Sequence, residues 1–184
     1  MAIDRIVIIE CLWYNSGMNH KSKLFESATQ NLLQEINSVG LTQTDRMRAK
    51  NFALLFRDSF KQDAVKRATF SQTIGDDYKL FPYDSYGFCK AASCSLVALM
   101  PAGQWQVMYI DDLWTYGPHY YVQHMQTKKI IDFTYDQYVY DGVQVPYYMG
   151  HPVKIDNEAR NTSVRFLHAI GLDFSALIRN NGKE

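Results

Sequence analysis

A run dense in turn residues, Gly75-Asp-Asp-Tyr78 and Phe81-Pro-Tyr-Asp-Ser-Tyr-Gly87, leads into a block of small and apolar residues from Cys89 to Met100, which Pro101-Ala-Gly103 stops. Gly, Pro, Asp and Ser at that density specify a loop. The block after it reads as a buried helix whose first residue is a cysteine, and three candidate strands follow: Trp105 to Ile110, His119 to Met125, and Lys129 to Thr134. A buried helix beside consecutive strands predicts an α+β domain with the cysteine-bearing helix packed on an antiparallel sheet.

The remainder of the chain fills in around this unit. Arg5 to Leu12 is β-branched and apolar almost without break, which predicts a strand covered on both faces. It is short, interrupted by Glu10, and lacks the basic lead and small-residue cleavage site of a signal peptide. A polar loop is expected at Asn15 to Lys21. Leu24, Ala28, Leu32 and Ile36 then recur at helical spacing up to Gly40, and Thr42 is placed to cap a second helix over Asp45 to Ala68. A Tyr-rich loop follows the last strand, and a final helix is expected around Glu158 to Ile170, ended by Gly171. With 184 residues and no internal repeat, the expectation is one domain, residues 1–184, with residues 1–68 as a strand and helical hairpin flanking a core of residues 69–184.

Charge argues against some partners. Lys plus Arg and Asp plus Glu are equal at 19 each, so no global field draws the chain to nucleic acid or to an anionic membrane. No run of about 18 apolar residues suggests a transmembrane helix. Three cysteines, Cys11, Cys89 and Cys94, fit neither a disulfide scaffold nor a Cys-x-x-Cys pair, so a reducing, cytoplasmic compartment is expected. Delivery into another cell stays open. The chain has thirteen Tyr and ten Phe, and eleven of the tyrosines crowd the span from Phe81 to Tyr148; because buried tyrosines need hydroxyl partners, a polar cleft or binding surface is expected there.

Cys89 is chemically distinguished by its place. Unpaired N–H groups and the dipole at a helix start favour a thiolate. Cys94, inside the same helix, and Cys11, in the apolar N-terminal run, read as packing residues, and a small buried residue is also the plain alternative for Cys89. Gly87 permits a tight turn into the helix, and Ala91 and Ser93 permit close packing on a sheet. Thiolate chemistry needs a base and a group to orient it. His119 opens one strand after Gly117-Pro118, and Asp132 lies on the next. In an antiparallel hairpin the pair can sit directly opposite if the turn is very tight near Met125-Gln126, or diagonally if the turn is longer, around Thr127. His124 falls on the opposite face of its strand, and His20, His151 and His168 lie near loops or the terminal helix. A zinc site built from Cys89, His119 and His124 matches no standard ligand spacing, and no metal or cofactor is expected.

These residues resemble known families between Tyr86 and Tyr138. Cys89-Lys-Ala91-Ala-Ser93 resembles the papain-type Cys-x-Ala-x-Ser at the start of the central helix. His119-Tyr-Tyr-Val-Gln123 with Asp132-Phe-Thr134 resembles the transglutaminase-type His-x-Trp-x-Glu followed by Asp-x-Thr. His119-Tyr-Tyr121 with Asp132-Phe-Thr134-Tyr-Asp-Gln137-Tyr138 is similar to the His-Tyr-Trp-Asn and Asp-Leu-Thr-x-x-Gln-Phe pair of small bacterial proteins of the YunG type. All share the order cysteine, histidine, aspartate. The resemblance implies a papain-like fold and a Cys89–His119–Asp132 triad acting on an amide bond, with a protein or peptide as substrate and deamidase or peptidase as the outcome. The chain departs from the pattern at Tyr121 and Gln123, where Trp and Glu are usual, and at Tyr83, where the papain type carries its oxyanion-hole glutamine. A second oxyanion donor is therefore sought among Tyr83, Ser85, Tyr86 and Gln137, with Gln72 as a further alternative. The competing expectation is a protein of the same fold that binds partners without using the chemistry.

Overall fold

The computed structural model describes residues 4–111 and 117–172, with side chains from Lys21 onward. Six helices and a four-stranded antiparallel sheet make up the described α+β fold: α1 Asp4–Ser38, α2 Gln43–Phe60, α3 Asp63–Ile74, α4 Cys89–Leu99, β1 Trp105–Ile110, β2 His119–His124, β3 Ile130–Ile131, α5 Asp136–Val139, β4 His151–Pro152 and α6 Asn157–Ala169. The sheet order is β3-β2-β1-β4. Helix α4 lies against β2 and β1 on one side and α6 on the other. Its inner positions, from Ala91 to Leu96, are all buried, and the small side chains among them permit that close approach.

The N-terminal run is not a strand. From Asp4 the backbone is helical and stays so through the expected loop at Asn15 to Lys21, making one helix of 35 residues. Helix propensities differ among ordinary residues by only a few tenths of a kcal/mol, roughly, whereas extending an existing helix avoids the cost of a new nucleus. The β-branched residues Ile6 to Ile9 are therefore absorbed into α1. The side chain of Cys11 lies outside the described residues.

The second expected helix is two. Thr42 does cap α2, accepting from Asp45 N at 3.1 Å. The helix then ends at Phe60, and α3 begins at Asp63. Packing explains the break. Phe60 and Phe70 both meet the ring of Phe88, at centroid distances of 4.4 and 4.9 Å. On one straight helix those two residues would stand about 15 Å apart along the axis. Turning the chain at Lys61-Gln62 lets both reach the residue that precedes Cys89.

One hydrophobic cluster joins Phe25 and Ile36 of α1, Phe56 and Phe60 of α2, Phe88, Val122 of β2, Phe133 and Phe166 of α6. The N-terminal helices thus contribute to the same core that holds α4. Phe88 is fully buried in it, stacked on Phe60 and 5.5 Å from Phe166. The last helix is capped by Asp156, which accepts from Ala159 N at 2.7 Å, and gives way to Gly171 at φ +74°.

Candidate active site

Two local features aim Cys89. Gly87 adopts φ +78°, a conformation that disfavours any side chain, and a Cβ there would stand 3.1 Å from the ring of Phe81. Phe88 then anchors in the aromatic core, so the turn ends with Cys89 as the first residue of α4, half-buried and free of any disulfide. The first N–H groups of a helix have no intrahelical acceptor, so a developing negative charge at this position is favoured.

His119 begins β2, opposite Ile110 of β1, and is fully buried. On its other side β2 pairs with β3 in the register Val122 to Ile131 and Gln123 to Ile130. The connecting turn is the longer of the two expected: Lys128 N donates to His124 O and His124 N to Lys129 O, with Lys128 at φ +60°. Extending this register sets Asp132 across from Tyr121 and diagonal to His119 on the same face. The two side chains meet, with His119 Nε2 2.7 Å from Asp132 Oδ2.

Asp132 is held from four directions. Thr134 donates to Oδ1 from its backbone N–H at 2.9 Å and its hydroxyl at 3.2 Å. Tyr147 donates its hydroxyl to Oδ2 at 2.9 Å, beside the His119 contact. Tyr147 is itself fixed through its carbonyl, which accepts from the Tyr121 hydroxyl at 3.0 Å. Gly150 makes room for this arrangement, because a Cβ there would come within 1.9 Å of the Tyr121 hydroxyl oxygen.

The electrostatics follow from this geometry. Burial favours neutral forms of both partners, yet it is outweighed: the Asp132 charge and hydrogen bond raise His119 above the ordinary histidine value, and the imidazolium and surrounding donors hold Asp132 below the usual carboxylate range. With Nε2 engaged by Asp132, Nδ1 of His119 has no conventional hydrogen-bond partner. The Cys89 sulfur nonetheless stabilises the protonated ring. The two groups approach closely without meeting hydrogen-bond geometry at Nδ1. Glu35 of α1 lies within electrostatic reach of the same carboxylate; burial and the Asp132 charge raise its carboxyl, although much of the residue is exposed.

Tyr138 closes the site over the imidazole, its ring edge-on to His119 at 4.7 Å. Its phenol is raised far above the ordinary value by burial, with contributions from Cys89 and Asp132. Gln137, 6% exposed, and Tyr86, 38% exposed, both lie within electrostatic reach of this phenol. Among the sought oxyanion donors these two neighbour Tyr138, whose ring meets that of His119. Ser85 is fully buried and donates to Asp136 at 2.9 Å. Tyr83 donates to Asp141 at 3.0 Å and stacks on Tyr140. Gln72 is exposed on α3. Cys94 is buried beside Val107 and Ala159, and burial pushes its thiol up to about 12. His124 packs edge-on against Trp105 and accepts from Thr127 N. His151 pairs with Asp111 at 2.9 Å.

Sequence reasoning missed Tyr147, whose partner lies 15 residues earlier. The crowding of tyrosines was a general signal of hydroxyl partners without singling this one out. It also missed the pairing of Arg57 with Asp136, for which a separation of 79 positions leaves no local trace. Among the described residues no group of three or more His, Cys, Asp or Glu side chains is placed to hold a metal ion, and no helix is long and apolar enough to cross a membrane. No family model, curated protein or solved structure matches this chain.

Proposed function

We propose that the chain is a cysteine-dependent hydrolase or acyltransferase of the papain and transglutaminase type, similar to the small YunG-type bacterial proteins, acting on an amide bond of a protein or peptide. The single observation that carries this reading is the state of His119: one nitrogen is committed to a fixed carboxylate, the other has no hydrogen-bond partner, and the ring lies within reach of a cysteine at a helix start.

The chemistry these groups support runs in two halves. The Cys89 thiolate attacks the carbonyl carbon, and negative charge on the carbonyl oxygen is received by N–H groups at the α4 start, with Gln137 as the second candidate donor. As the tetrahedral intermediate collapses, the C–N bond breaks and His119 passes its proton to the departing amine or ammonia. Water, or an acceptor amine, then attacks the thioester, giving its proton to His119 and releasing Cys89. Asp132 keeps the ring oriented and stabilises the imidazolium throughout. A peptide bond as substrate makes the outcome proteolysis, and a glutamine side chain makes it deamidation or transamidation.

A second reading, a papain-like fold serving as a protein-binding module without turnover, is favoured by Tyr83: it occupies the position of the papain-type glutamine and is engaged with Asp141 and Tyr140. Limited iodoacetamide at pH 7, followed by peptide mass mapping, separates the two. The hydrolase reading predicts that Cys89 is carboxamidomethylated at least about a hundredfold faster than Cys94, in keeping with thiolate control of cysteine reactivity. Equal, slow labelling of both would contradict it.

A further inference from the structure

An open cleft of about 370 Å³ lies between α1, the end of α2, the loop before α4 and the end of α5, lined by Lys21, Phe25, Lys61, Phe81, Tyr83 and Tyr140 among others. Two ammonium groups stand in it on aromatic faces. Lys21 Nζ is 5.3 Å from the centre of the Tyr83 ring and donates to Pro82 O at 3.3 Å; Lys61 Nζ is 4.9 Å from the centre of the Phe25 ring. Neither forms a salt bridge among the described residues. The carboxylate in the lining, Asp84, is already matched by Lys66 at 3.2 Å. Within the lining this leaves two ammonium groups to one carboxylate over an apolar floor, with Asp141 held on Tyr83 at its edge and Glu26 and Asp58 in the adjoining pocket that shares Phe25 and Lys61.

The walls are built and not incidental. Tyr83 and Tyr140 stack face to face at 4.2 Å, Tyr83 donates to Asp141, and Tyr140 donates to the Lys21 carbonyl at 2.5 Å. These contacts tie three distant segments together around the cleft. Both walls also lead to the candidate active site. Phe81 to Asp84 belong to the loop that ends at Cys89, and Tyr140 lies two residues past Tyr138, whose ring covers His119.

We propose that this cleft is a binding site for an acidic peptide segment, with Glu or Asp carboxylates on Lys21 and Lys61 and an intervening apolar side chain against Phe25, Phe81 and Pro82. Opposite charge selects the carboxylates, the aromatic floor selects the apolar residue, and the open shape admits a continuous chain. In naming acidic protein segments as the substrate class for Cys89 it rests on the hydrolase reading, whereas the binding itself does not need the chemistry.

The test is therefore made on the full chain carrying Cys89→Ala, labelled with 15N. N-acetyl-Glu-Phe-Glu-amide, its Lys-Phe-Lys counterpart and inorganic phosphate are titrated separately. Expected is saturable, salt-weakened perturbation of residues 21, 61, 83 and 140 by the acidic peptide alone. Lys61→Met, which keeps the side-chain stem at an exposed position, should weaken it about fivefold, the scale of one partly exposed ion pair. Lys61→Glu should shift preference toward the basic peptide. No binding, equal binding of the two peptides, perturbations elsewhere, or phosphate binding as well as the acidic peptide would overturn the proposal. Slow Cys89 labelling with intact acidic-peptide binding would remove the hydrolase reading alone; fast labelling without that binding would remove the cleft alone.

Discussion

Two buried pairs join a cation to carboxylates that lie four residues apart in the chain, Asp132 and Asp136, and they are finished differently. Arg57 and Asp136, 2% and 1% exposed, form a closed set. Arg57 Nε donates to Thr29, Nη2 to Phe25 O, and Nη1 to Phe133 O and to the Asp136 carboxylate, whose other oxygen accepts from Ser85. In the His119–Asp132 pair the carboxylate is equally saturated, yet Nδ1 of the imidazole is left without a hydrogen-bond partner. The first pair fastens α1, α2, the loop before α4 and α5 together. The second holds one group rigidly and leaves its Nδ1 open, which is what the proposed role of a base serving a nucleophile requires.

Breaking the closed pair should have the largest effect on stability. Arg57→Leu leaves Asp136 buried without its cation and should cost about 3 to 5 kcal/mol in urea denaturation, while Arg57→Met combined with Asp136→Leu should recover much of that loss. A cost below about 1 kcal/mol for Arg57→Leu would mean that the pair does not fasten the fold. The open pair is more tunable. Gly150→Ala drives a methyl into the Tyr121 hydroxyl and should cost about 1 to 3 kcal/mol, the range for overpacking. Tyr147→Phe removes a single donor from Asp132 and should cost less, about 1 to 2 kcal/mol, with the fold kept. Both should slow Cys89 alkylation by loosening the carboxylate, and an unchanged rate in Tyr147→Phe would remove that residue from the positioning of His119.

The pH response separates the pairs next. Because His119 is raised on folding, its stabilising contribution is complete below its ordinary value of 6.5 and is lost as pH climbs through the raised value. Because Asp132 is lowered, its contribution is complete above 3.8 and is lost as pH falls through the lowered value. Asp136 of the closed pair is shifted the opposite way from Asp132, burial raising it above the usual carboxylate value despite Arg57 and Ser85. Stability of the wild type should therefore decline from pH 6.5 upward, and Asp132→Asn should flatten that decline. An identical alkaline slope in both proteins, measured by denaturant midpoints, would show that His119 does not gain its proton from this pairing.

Much of the open pair was legible from sequence, because its parts are local. The loop into α4 carries its own glycine, β1 falls at Trp105–Ile110 as its apolar pattern requires, and the spacing of His119 and Asp132 allowed only two registers. The longer turn decided between them, using Lys128 in a positive-φ conformation that an Asn or Gly would have announced. The closed pair and the break at Lys61-Gln62 depend on residues far apart in the chain meeting in three dimensions. The N-terminal error has another cause: apolar β-branched residues at Ile6 to Ile9 fit a buried strand and a helix alike, and only continuity with the residues after them distinguishes the two.

The coupling between His119 and Cys89 is tested most directly by the rate of Cys89 alkylation at pH 7 in the wild type and in His119→Ala, with Cys94 as the internal reference. An open imidazole nitrogen serving the thiol predicts a loss of about a hundredfold or more on removing His119, the scale of general-base assistance, with Cys94 unchanged. Equal Cys89 rates in the two proteins would contradict it.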